Sequence, residues 1–377
     1  MTDQIEINKG HTQSDKQHKS IKIRNLKIRN FKGLDDIELN FPVPQLKGDP
    51  DIIVMGSRNG LGKTSVLESC ALLFLAASQD KISLNRFLSP GISINIPDLL
   101  IRGGEEDANI SGDFFVDHQK FSVNLQISRT GNFKINTDTS AFKQVLTQNH
   151  FQLFYTSDNI ERFFYSLVGL SPEPILLPHF IYFHSYRKIQ EGGLELGMMV
   201  EDKSYRRLKR VRAELPISTF KLEILRSLMS RGGLFENIDD TESERVIETL
   251  NELMSRYASG TIEKLRPSPD NTIEFRITPT NGSASFTFDG LSSGQKEIIS
   301  TLFLIWKYTD RYPGIVMIDE PELHLNAEWH RRFVHNLYQL APNNQYIIAT
   351  HSEDIFDSVD ADRRILLSSG GDGSNDD

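Results

Sequence analysis

Apolar residues in this chain fall into two patterns. Short, nearly continuous runs occur at Asp51-Ile-Ile-Val-Met55, Phe180-Ile-Tyr-Phe183, Gly314-Ile-Val-Met-Ile-Asp319 and Tyr346-Ile-Ile-Ala-Thr350. Runs of this length and kind predict strands, and those buried on both faces belong to a parallel sheet. Between residues 109 and 136 the pattern alternates instead, with Asp117-His-Gln and Arg129-Thr-Gly131 at the turns, which predicts an antiparallel meander. Helical stretches are predicted at Val66–Leu75, after Ser292, over the aromatic segment 140–170, and over 203–259 with a break at Arg231-Gly-Gly233. The aromatic segment carries Phe151, Phe154, Tyr155, Phe163, Phe164 and Tyr165. Their spacing suits core packing better than a platform for stacked bases.

Chemistry sits where these elements end. The first apolar strand runs into Gly56-Ser57-Arg-Asn59-Gly60-Leu-Gly62-Lys63-Thr64-Ser65 and then a helix. In such a phosphate loop glycines let the backbone N–H groups point at phosphate oxygens, and the helix N-terminus adds its positive end. Lys63 would reach the terminal phosphates, Thr64 would hold Mg2+, and Ser57, Asn59, Gly60, Gly62 and Ser65 would line the loop. The register departs from the usual pattern, because Ser57 stands five before Gly62 and the glycine is one earlier, at Gly56.

Downstream, Ser292-Ser293-Gly294-Gln295 opens an amphipathic helix, and the next apolar strand ends in Asp319 and Glu320. Asp319 suits a magnesium ligand, and Glu320 a general base that activates water. The strand at Tyr346–Thr350 delivers His351 and Ser352. If these strands are parallel, all these groups gather at one carboxyl edge, where α/β sheets bind ligands.

This set resembles the ABC-type ATPase heads of the RecF, SMC and OLD group. The resemblance rests on the phosphate loop, the signature at Leu291–Gln295, the strand ending in Asp319 and Glu320, the Pro321-Glu322-Leu323-His324-Leu325 segment and His351. The opening, Ile21-Lys-Ile-Arg-Asn25 to Asn30-Phe31-Lys32-Gly33-Leu34, is similar to the first strands of such heads. Ser293 stands where transport ATPases usually have glycine, a variant resembling the OLD and RecF branch. The resemblance implies an α/β P-loop NTPase, an ABC-type head with an antiparallel β lobe and a helical insertion. It further implies ATP and Mg2+ as ligands, with Glu320, His351 and Lys63 catalytic. Two chains would pack head to tail, each ATP held between one phosphate loop and the partner's Ser292, Ser293, Gly294 and Gln295, as a homodimer or higher even oligomer. No glutamine is evident for the magnesium-linked Q-loop; Leu100–Ala108 has the context but acids in its place.

The resulting division is an arm at 1–19, a head at 20–139 and 260–369, a mostly helical insertion at 140–259 and an acidic tail at 370–377. The insertion has no sustained heptads, which excludes long coiled-coil arms. Hydrophobic content is 38% and no apolar run approaches membrane-spanning length, so a transporter subunit is disfavoured. One cysteine, Cys70, precludes a disulfide within the chain and fits a cytoplasmic protein. Against a net charge of −9, Lys203, Arg206, Arg207, Lys209, Arg210 and Arg212 form one basic cluster. It could contact DNA or RNA phosphates, though charge runs are more often solvated faces. Few residues follow His351, where OLD-like relatives continue into a nuclease, so the sequence points to a separate effector, a nuclease or toxin. The expected role is a dimeric ATPase gating that effector in antiviral defence or DNA-related processing; the alternative is a slow-turnover, ATP-gated scaffold in repair or recombination.

Overall fold

A computed structural model describes residues 20–46, 48–56, 62–79, 82, 96–116, 119–137, 163–169, 171–177, 179–188, 194–195, 218–231, 240–267, 272–323 and 325–367. Ser57, Asn59, Gly60, His324, the aromatic positions 151, 154 and 155, and the basic cluster at 203–212 lie outside them.

An antiparallel sheet comes first: β1 (Ile21–Phe31), β2 (Leu34–Asn40), β4 (Asp107–Val116), β5 (Gln119–Ser128) and β6 (Phe133–Asn136), ordered β2-β1-β4-β5-β6. Its alternating burial follows from one face being packed and the other solvated. The second sheet has six strands in the order β15-β3-β14-β13-β8-β7. These are β3 (Asp51–Gly56), β7 (Ile175–Leu177), β8 (Phe180–Phe183), β13 (Ile315–Asp319), β14 (Gln345–Thr350) and β15 (Arg364–Leu366). All neighbours pair in parallel except the edge strand β7. Their four central strands are buried throughout, as continuous apolar runs require. A smaller sheet of β10 (Gly260–Pro267), β11 (Thr272–Pro279) and β12 (Phe286–Thr287), with β9 (Leu194–Glu195) against β11, completes the strands.

Helix α1 (Lys63–Ser78) lies between the two large sheets, touching β1, β4 and β5 on one side and β13 and β14 on the other. Every residue but Thr64 is buried, which explains a sequence apolar around its whole circumference. The short α2 (Ile96–Leu100) leads into β4. On the opposite face of the parallel sheet sit α3 (Thr219–Arg231), α4 (Asp240–Ala258), α5 (Ser293–Thr309), α6 (Ala327–Leu340) and α7 (Glu353–Phe356). Two cores result. Ile53, Met55, Met317 and Ile347 point toward α1 and the antiparallel sheet, while Ile52, Val54, Val316 and Ile348 point toward α3 to α6.

The two sheets are also stitched together by polar bonds. Gln345 at the start of β14 exchanges both amide bonds with the Ile23 backbone at 2.8 Å, and Arg24 grips Asp51 at 2.6 and 3.0 Å. Phe163 and Phe164 are core residues, Phe164 edge-on to Phe133 of β6. Among the described residues no helix is long and apolar enough to cross a membrane.

Candidate nucleotide site

Parallel register brings the strand ends to one level. Gly56 pairs with Thr350, and Asp319 with Ala349, so the carboxyl ends of β3, β13 and β14 lie side by side. The strand carrying His351 separates the strand of the phosphate loop from the strand of the two acids.

Gly62 precedes α1 with φ of 86°, a left-handed conformation that glycine adopts without strain. A Cβ there would also come within 2.3 Å of Leu34 Cδ2. That turn aims the first residues of α1 at the sheet edge. Thr64 donates its hydroxyl to Asp319 Oδ2 at 2.9 Å, and Lys63 Nζ lies 3.1 Å from His351 Nε2 and 3.3 Å from Nδ1. His351 Nε2 is in turn 3.3 Å from Glu320 Oε1. Lys63, Thr64, Asp319, Glu320 and His351 therefore form one cluster.

Charges in this cluster are set by its depth. Burial is the main influence on Lys63 and lowers its pKa, opposed by the carboxylates of Glu320, Asp319 and Glu322. Asp319 is fully buried, and desolvation pushes its carboxyl from 3.8 up to about 7 despite the Thr64 hydroxyl and Arg187. Its Oδ1 has no hydrogen-bond partner among the described residues. A buried carboxylate whose one oxygen faces a hydroxyl and whose other lacks a partner fits a divalent cation, which would offset the desolvation. Thr64 and Asp319 are the residues that would hold it. Among the described residues no group of three His, Cys, Asp or Glu side chains is placed to hold a metal ion.

Glu320 is held in the left-handed region, φ 46°, its N–H donating to Ala349 O at 2.8 Å. Such strain is kept where the surroundings fix it, often at functional sites. Glu322 has a role the sequence did not suggest. It accepts from Thr350 Oγ1 at 2.7 Å and from the His351 backbone N–H at 2.6 Å, which fixes the turn that presents the imidazole.

The Ser292–Gln295 turn is organised separately. Ser292 caps α5 in a capping box: Gln295 N–H donates to Ser292 Oγ at 3.3 Å, and Gln295 Oε1 accepts from Ser292 N–H at 3.0 Å. Gln295 Nε2 also donates to Tyr257 O at the end of α4, 2.9 Å away. Gln295 is thus engaged in shaping the turn, while Ser292 and Ser293 stand exposed at the helix N-terminus.

The stretch Leu100–Ala108 runs along β1. Leu100 O and Arg102 N–H bond to the Lys32 and Asn30 backbone beside β1, and Asp107 begins β4. The segment that leaves the parallel sheet next to Asp319 is His184-Ser185-Tyr186-Arg187, after β8. There Arg187 is buried, donating to Asp319 O at 2.7 Å, to His184 O at 2.9 Å and to the Glu297 carboxylate of α5. Sequence reading overlooked it. Applying the strand-end rule to Phe180–Phe183 as well would have found it. Burial lowers the His184 pKa to about 4, so its imidazole is neutral near pH 7, with Nε2 3.0 Å from Glu173 O.

Residues 25–259 match the family described as "AAA domain", and residues 183–357 match "AAA domain, putative AbiEii toxin, Type IV TA system". Among curated proteins the chain is 21% identical to the Retron Ec83 probable ATPase of Escherichia coli, over 93% of this chain and 72% of that one. It is 21% identical to the Septu protein PtuA of Bacillus thuringiensis, over 92% and 75%. A Retron Vc95 probable ATPase of Vibrio cholerae is 26% identical, over 37% of this chain and 29% of the other. Similar solved structures include an Smc head domain with an extended coiled coil bound to the C-terminal domain of ScpA, derived from Pyrococcus furiosus. Its TM-score is 0.49 at 13% identity, covering 90% of this chain and 92% of that one. The SMC head domain from Thermotoga maritima gives a TM-score of 0.44 at 15% identity, covering 91% and 93%. The chain belongs to the AAA domain family.

Proposed function

We propose that this protein binds ATP with magnesium and hydrolyses it between two heads, and that the cycle gates a partner effector in antiviral defence. The observation that carries the reading is the cluster in which Lys63 and Thr64 of one strand–helix junction face Asp319, Glu320 and His351 of two neighbouring strand ends. Lys63 supplies a cation beside the terminal phosphates. Magnesium, when bound by Thr64 and Asp319, supplies charge neutralisation of the phosphates. Glu320 orients the attacking water and accepts its proton, and His351, in contact with both Lys63 and Glu320, donates toward the charge that develops on the terminal phosphate.

The signature turn Ser292–Gln295 supplies the second wall of the site in trans. The capping box engages the Ser292 hydroxyl and the Gln295 N–H, and the exposed Ser293 with the Ser293 and Gly294 N–H groups at the helix start supplies the chemistry that recognises a phosphate. Head-to-tail pairing then gives each chain one phosphate loop and one signature turn in two composite sites. Similarity to a retron probable ATPase and to the Septu protein PtuA supports the defence role; the partner in this proposal is a nuclease or toxin.

Two variants test the assignment. Lys63→Ala is expected to lose ATP binding, and Glu320→Gln to retain ATP and accumulate as an ATP-bound dimer by light scattering. Unchanged phosphate release in either variant removes the assignment.

A further inference from the structure

Arg187 is an arginine with no solvent role, held where the two halves of the proposed machinery meet. It is buried, as is its partner Glu297. One end of the guanidinium donates to the Asp319 carbonyl at 2.7 Å, and the other pairs with the Glu297 carboxylate, which also accepts from Thr301 Oγ1 at 3.3 Å. Glu297 lies on α5, about one turn beyond the Ser292–Gln295 cap. The bond to His184 O at 2.9 Å fixes Arg187 to its own loop.

What Arg187 grips is the peptide joining the metal acid to the base. Arg187 holds the C=O of the Asp319–Glu320 peptide, and Ala349 O holds its N–H at 2.8 Å. Clamped on both sides, this peptide sets the left-handed φ of 46° that places Glu320 beside His351. A buried ion pair is a poor device for stability alone, because its desolvation offsets the attraction. A rigid fork with bonds in fixed directions is well suited to holding one group in register with another.

We propose that Arg187 is a positioning residue that couples the signature helix to the general base. Movement of α5, as the partner's nucleotide engages Ser292, is carried through Glu297 and Arg187 to the Asp319–Glu320 peptide. Each head then hydrolyses its own ATP only when its signature turn is seated on the partner's ATP. This rests on the reading of the site as a two-head ATPase. It adds that the two sites fire together and names the residues that link them.

The experiment compares wild type with Arg187→Lys, Glu297→Gln and the double variant Arg187→Leu/Glu297→Leu, which removes both charges so that neither is left buried alone. Magnesium-ATP affinity is measured by calorimetry, followed by the ATP dependence of phosphate release and melting temperature. Expected for the variants is ATP affinity within about threefold of wild type but kcat lower by about 100-fold, the cost of a base misplaced by about an ångström. The Hill coefficient is expected to fall to about 1. A merely structural residue would lower affinity and melting temperature together and leave the Hill coefficient alone. Variants with wild-type kcat and Hill coefficient overturn the coupling while leaving the ATPase reading intact. If wild type binds ATP without turnover, ATP-driven dimerisation becomes the readout: weakening by about tenfold in the variants supports the coupling, and equal dimerisation overturns it. A wild-type chain that binds no magnesium-ATP defeats the site reading, and the coupling with it.

Discussion

Asp319→Asn tests whether the proposed magnesium ligand is a charge kept in the fold at a cost. The change is isosteric, and the amide oxygen can still accept from Thr64. In the wild type the carboxyl is raised from 3.8 to about 7 by desolvation, and at about 1.4 kcal/mol per pH unit this sets a ceiling of about 4 kcal/mol on the cost of the ionised form above pH 7. Relaxation around the charge would leave on the order of 2 kcal/mol. The sign follows from proton counts. Between pH 4 and 7 the folded carboxyl retains a proton that the unfolded chain has released, so wild-type stability falls as pH rises through that window and levels off above it. The substituted amide cannot titrate, so the stability difference in favour of Asp319→Asn grows across the same window. Urea unfolding in EDTA at several pH values measures it, the difference between the two proteins cancelling groups that titrate in both. Adding magnesium-ATP at about 100 times its Kd stabilises wild type by about 2.7 kcal/mol, and the variant much less. A variant less stable than wild type at pH 8 in EDTA, or a difference that does not change with pH, refutes the reasoning.

Three further outcomes follow from local geometry. Ser292→Ala is expected to cost about 1 kcal/mol by removing the α5 cap, whereas Ser292→Asp keeps the cap and the stability but halts phosphate release by facing a carboxylate to the partner's phosphates; a hydrolysing Ser292→Asp would place the signature turn elsewhere. Gly314→Ala is expected to cost about 3 kcal/mol or prevent folding, because a Cβ there would stand 2.1 Å from His179 O, a backbone atom that cannot swing aside, and an unchanged melting temperature would contradict this packing. Cys70 is buried and its thiol pKa is pushed well up by desolvation, so a thiol reagent is expected to label it only upon unfolding; rapid labelling of the native chain would mean that α1 opens.

Strands β3, β8, β13 and β14 were legible because burial on both faces leaves an unbroken apolar run, and the meander because burial on one face leaves alternation. The circumferentially apolar Val66–Leu75 announced a helix between layers, though which layers could not be read from it. Asp319, Glu320 and His351 were nameable because each stands at or next to the end of an apolar strand run, and Lys63 and Thr64 because a glycine-rich loop leads through them into an apolar helix.

Residues whose roles depend on pairing across the sheet were a different matter. Which strand lies beside β13 is a tertiary fact, and only that neighbour relation brings the loop after β8 to Asp319. Without it Leu100–Ala108 was as good a place to look, yet its backbone bonds go to Asn30 and Lys32 beside the other sheet. Glu322 and Gln295 make the same point. Glu322 spends its oxygens on Thr350 and the His351 N–H, and Gln295 its amide on Ser292 and Tyr257. The groups proposed to touch ligand lie at strand ends and at a helix start, which sequence marks. The groups that hold them in place are set by neighbours, and Arg187, four residues past an apolar run and bonded to two distant elements, belongs to that second kind.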